Sequence, residues 1–139
     1  MARVFTESEL QFIKDQFSLV GDPAADNDLK QELDAAAWRT SHGGGSEEDR
    51  QLLTHMFNLT LLLNPGIKNC QTPQQIMAAN AETGTRAAAT AQRIADGTAE
   101  KADFLALLEL LEVGFCAFGQ STPTEAAIKE KALSALPTP

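Results

Sequence analysis

The sequence predicts an all-α fold: an irregular bundle of about six helices around a central apolar helix at residues 99–118. Three observations carry this. First, Phe104, Leu105, Leu107, Leu108, Leu110, Leu111, Val113, Phe115, Cys116 and Phe118 cover nearly the whole cylinder of a helix, leaving Glu109 and Glu112 as a narrow polar stripe. A helix apolar nearly all round has to be surrounded, by the rest of the chain or by a second subunit. Second, helix-start signals recur: Thr6, Thr72 and Thr122 each stand three residues before a Glu or Gln. Third, no run alternates in β-branched or aromatic residues, and no repeat of consistent period is visible.

The first helix starts at Thr6, with Glu9 closing a capping box and Phe5 stapling onto Leu10. Leu10, Ile13 and Phe17 make its inner face, with Phe12 beside it, and Gly21 ends it. Asp22-Pro23 starts the second, where Leu29, Leu33 and Ala36/Ala37 form an inner stripe that Trp38 closes. Three glycines in residues 40–46 carry too much backbone entropy for regular structure, so a mobile loop is expected there. Ser46 caps the third helix, and Glu47, Glu48 and Asp49 fill a first turn whose dipole favours negative charge. Leu52, Leu53, Met56, Phe57, Leu59 and Leu61 to Leu63 make it the second most apolar helix, and Asn64-Pro65-Gly66 stops it.

The fourth helix opens at Thr72-Pro73 and closes at Asp96-Gly97. Met77, Ala81, Gly84, Ala88, Ala91 and Ala95 form a small-residue heptad seam, suited to close helix contact or to a homodimer. Thr83-Gly84-Thr85 is weak helix-forming sequence, and a break is expected there. Thr98 caps the central helix and Gly119 ends it. Thr122 caps a sixth helix with Ala127, Ile128, Ala132 and Leu136 inward, and residues 137–139 are a frayed tail. With 139 residues the chain reads as one domain, residues 1–139, with helices three and five at the centre.

Net charge is −8, and residues 1–50 hold 11 acids against 5 bases. That disfavours nucleic-acid and anionic-membrane partners and fits a basic protein. MARVFTESEL has no charged-then-apolar pattern and no apolar run reaches a membrane span, so no leader and a cytoplasmic location are expected. Two cysteines make no disulfide framework: Cys116 reads as a core residue and Cys70 as a free thiol.

No catalytic motif accompanies the fold. The HGGGSEED stretch lacks a P-loop lysine, and its acids would repel an anion. From Asp26 the fifth and sixth positions of a calcium loop are Lys30 and Gln31, so that pattern fails. Neither His42 nor His55 follows a Glu by three residues, and the two Cys and two His lack zinc spacing. The sequence therefore points to a small acidic protein-binding protein of the inhibitor, immunity, adaptor or chaperone type, without a cofactor. Its contact surface is expected at Asp22, Asp26, Asp28, Glu32, Asp34, Trp38, His42, Gly43, Gly44 and Gly45. The alternative is a divalent-metal hydrolase using Glu109 and Glu112 with Glu82 or Asp103.

Overall fold

In a computed structural model, the described residues are 4–21, 28–118 and 123–137. They form α1 (Glu7–Gly21), α2 (Asp28–Ser41), α3 (Glu47–Leu63), α4 (Pro73–Asp96), α5 (Lys101–Phe118) and α6 (Pro123–Ala135), with one 3₁₀ turn, Pro65–Asn69, and no strand. The all-α bundle read from the sequence is the fold observed.

The helix starts follow from the capping chemistry. The Thr6 amide donates to Glu9 Oε1 at 2.9 Å and the Glu9 amide to Thr6 Oγ1 at 3.3 Å. Ser46 with Asp49, and Thr72 with Gln75, close the same reciprocal box at α3 and α4. The start of α5 differs from expectation. Its first helical residue is Lys101, and the Glu100 amide donates to Asp103 Oδ2 at 2.9 Å. Thr98 instead turns its hydroxyl back toward the Arg93 carbonyl. The Asp103 carboxylate outcompetes a hydroxyl for the orphan amide because a charged acceptor makes the stronger bond. Asp22-Pro23 and Thr122 lie outside the described residues.

Two tight helix pairs build the core: α1 lies along α4, and α3 along α5. Ile13, Phe17, Leu59, Leu107, Leu110 and Ile128 are at most 1% exposed and meet in one apolar cluster. Val113 joins a smaller cluster with Ala36 and Leu52. α6 is tied on by Lys131 to Glu9 of α1 and by Lys129 to Glu112 of α5. The Lys131 hydrogen bond and the Thr6 amide together hold the Glu9 carboxyl below its ordinary pKa.

The fourth helix corrects the sequence in two ways. It runs unbroken through Thr83-Gly84-Thr85. Thr83 and Thr90 are buried there, and each hydroxyl donates to the carbonyl four residues back at 2.9 Å, so burial leaves neither unsatisfied. The small seam is also rotated. Gly84, Ala91 and Ala95 are buried with Ala79, Thr83, Ala87 and Ile94, whereas Ala81 and Ala88 are exposed and Met77 is 71% exposed. α4 has neighbours on two sides, α1 and the α3–α5 pair, so its buried arc is wider than one heptad seam.

Candidate functional site

α2 presents the candidate surface. Leu33 and Ala36 face α3, and Ala36 is completely buried. Trp38, two residues on, lies about 200° further round a helix and so points away from the core. It is 62% exposed, which corrects the expectation that it closes the inner stripe. Its indole stacks on the His42 imidazole, with centroids 4.1 Å apart and 18° between planes. His42 Nδ1 lies 2.8 Å from the Trp38 carbonyl, an acceptor, so this nitrogen carries the proton and donates. Ser41 Oγ donates to the same carbonyl at 2.9 Å. The Trp38 carbonyl is thus met by two side chains, while the Arg39 and Thr40 carbonyls accept from the backbone amides of Gly44 and Gly43.

The glycine segment is shorter than expected, because Thr40 and Ser41 belong to α2. Gly43 takes φ +80, a left-handed conformation that a side chain would strain. The Gly44 amide returns to the Arg39 carbonyl at 2.9 Å. A Cβ on Gly45 would stand 2.6 Å from Thr40 Oγ1, so this backbone has to pass bare against α2. Arg39 then locks α2 to α3, its Nε and Nη2 donating to the two Asp49 oxygens at 2.8 Å each. These bonds, against the opposing effect of burial and with help from the Ser46 amide, pull the Asp49 pKa down to about 2. Arg39 is in turn held charged, chiefly by Asp49 and in smaller part by Glu32.

The expected contact residues therefore separate. Asp34, Trp38 and His42 are four apart in succession and share one exposed face of α2. Glu32 lies about 120° round from Trp38 and serves the Arg39 side. Gly43 and Gly44 follow His42 in the chain and are exposed, and half-buried Gly45 shapes the turn. Asp22 and Asp26 lie outside the described residues, as does the side chain of Asp28. Asp34 also edges a groove of about 680 Å³ where Leu19, Leu33, Met56 and Met77 line the gap among α1, α2, α3 and α4. Sequence reasoning missed this groove, since its walls come from four separated segments.

The carboxylates of the alternative site do not converge. Glu109 Oε1 meets His55 Nδ1 at 3.0 Å, joining α3 to α5. Glu112 meets Lys129, and Glu82 meets Arg86 four residues on. Asp103 takes two hydrogen bonds from Arg93, at 2.9 and 2.7 Å. Burial opposes the Asp103 charge, yet Arg93 and the Glu100 amide outweigh it and keep its pKa below the ordinary value. Among the described residues no three His, Cys, Asp or Glu side chains gather as ion ligands. Cys70 is free and half-buried, its thiol directed to the Gln75 carbonyl at 3.6 Å; the Cys116 side chain lies outside the described set. No helix among the described residues is long and apolar enough to cross a membrane. Compared with protein-family models, curated proteins and solved structures, the chain finds no match.

Proposed function

We propose that this chain binds a basic protein partner through the face of α2 that carries Asp34, Trp38 and His42. The observation that carries the reading is Trp38, a large aromatic held out in water by a defined stack on His42 rather than folded into an available apolar core. An exposed tryptophan with its rotamer fixed gives up little entropy on binding and is a typical anchor of protein interfaces. Exposed Asp34 lies one turn from it on the same face, and exposed Glu32 and Glu48 add negative charge to the same hairpin that would steer a cationic surface. Such a protein acts by occluding or holding its partner, as an inhibitor, immunity protein, adaptor or chaperone does.

The hydrolase alternative has less support, because Glu109 and Glu112 each face a basic side chain on a different helix. A homodimer formed through α4 would have to use what that helix leaves outside, chiefly Ile76, Met77 and Ala81, since Gly84, Ala91 and Ala95 are spent inside the subunit. A photo-crosslinking residue at position 44, which leaves the Trp38–His42 stack in place, expressed in the native host, tests the proposal. A discrete heteromeric adduct is expected there and not from the same residue at position 126 on α6. No adduct, or equal adducts from both positions, would overturn it.

A further inference from the structure

The chain contains two helical hairpins built on one plan. In the α2–α3 hairpin Arg39 grips Asp49, and in the α4–α5 hairpin Arg93 grips Asp103. Both pairs span ten residues, run from the last turn of one helix to the first turn of the next, and use both carboxylate oxygens. Each Asp also accepts from the backbone amide three residues before it. His55 and Glu109, which pair with each other, are 54 residues apart, and each is the sixth residue after its Asp. Burial follows the same offset: Ala36 and Thr90, Leu52 and Ala106, Leu59 and Val113 are all buried.

The outer faces of the two hairpins differ. On α4, Ala88, Ala91, Gln92 and Ala95 line the seam with α1, across from Leu10, Lys14 and Phe17. The matching positions of α2 are Asp34, Ala37, Trp38 and Ser41. Ala91 and Ala95 are buried under α1, while Ala37 and Ser41 are exposed. The contrast continues on the second helices, where Leu111 is 4% exposed and Phe57, at the matching place, is 55% exposed. The α4 seam wears α1, and among the described residues no helix lies across the matching face of α2.

We infer that the Asp34–Trp38 face of α2 is a seat for an amphipathic, basic helix of the partner, placed as α1 is placed on α4. This deepens the protein-binding reading and rests on it. The occupant's apolar side follows from α1, whose Leu10, Ile13 and Phe17 anchor at intervals of three and four. Its charge follows from the substitutions at the seat. Asp34 stands where α4 has Ala88; at the start of α3, Glu48 stands where α5 has Ala102, and Glu47, which holds Arg50, stands where α5 has Lys101. Trp38 replaces Gln92 and supplies an aromatic wall. Lysine or arginine beside the anchors would meet those acids.

The probe is a tryptophan-free peptide of about four turns, with Leu, Ile and Phe at the spacing of Leu10, Ile13 and Phe17 and lysines on its other faces. Trp38 is the only tryptophan, so its fluorescence reports occupancy directly. With the full-length protein a saturable blue shift is expected, weakened about tenfold or more by Ala37→Arg through steric and like-charge opposition. Ala126→Arg on α6 should leave it unchanged, and a glutamate version of the peptide should not bind. No saturable shift, or equal binding to Ala37→Arg, would overturn the helix seat. A crosslink at position 44 with no peptide response would remove the helical occupant and leave protein binding standing. Loss of both would remove both.

Discussion

Leu107 and Leu105 lie two residues apart on α5, one completely buried and the other 38% exposed. Truncating each to alanine tests how the central helix is enclosed. Leu107→Ala deletes about three carbon groups, at about 0.8 kcal/mol each, from a site closed on every side. The cavity left among Leu59, Leu110 and their neighbours raises the loss to about 3–4 kcal/mol. Leu105→Ala opens no enclosed cavity and gives up only part of the transfer term, about 1 kcal/mol. Urea unfolding with a slope of about 2 kcal/mol per molar should lower the midpoint by about 1.5–2 M for Leu107→Ala and by about 0.5 M for Leu105→Ala. Equal midpoint losses would refute the placement of α5, since its two sides would then be equally enclosed.

The Asp49 carboxyl has a lower pKa folded than unfolded, so its ion pair stabilises the fold above the ordinary carboxylate pKa and is lost as pH falls toward about 2. Urea midpoints taken from pH 6 to pH 2 should therefore fall steeply below pH 4, and less steeply in Asp49→Asn; identical slopes would count against the pair. Gly43→Ala should cost about 1–2 kcal/mol for its left-handed backbone. Gly44→Ala, whose nearest new contact is the Arg39 carbonyl at 3.8 Å, should stay within about 0.5 kcal/mol, and melting temperatures of the pair check this. Thr72→Ala removes the hydroxyl half of the α4 capping box and should cost about 1 kcal/mol by the same measurement. Acrylamide should quench Trp38 almost as well in the native protein as in urea; strong native protection would mean that the indole is covered.

Where a local rule decides the structure, the sequence was legible. Thr6-Glu9, Ser46-Asp49 and Thr72-Gln75 cap because the needed oxygens lie three residues apart. Leu10, Ile13 and Phe17 are buried because no other phase of α1 gathers as much apolar surface. What failed depended on neighbours far along the chain. The rotation of the α4 stripe follows from being packed on two sides, and Trp38 faces water because α2 touches the core along the narrow Leu33–Ala36 side. The acidic face was legible as composition, yet its separation into a Glu32 on the Arg39 side and an Asp34 on the Trp38 face needed the helix phase and the Asp49 lock. The Arg–Asp pairs themselves went unread, since a ten-residue spacing across a turn has no local periodicity to announce it.

Trp38 as the docking anchor is tested most directly by native mass spectrometry of the wild-type protein and of Trp38→Ala, each purified gently from the native host. A heteromeric mass is expected for the wild type and the bare chain for Trp38→Ala, with both folded by circular dichroism. A bare wild-type chain, or a complex that persists unchanged in Trp38→Ala, would contradict it.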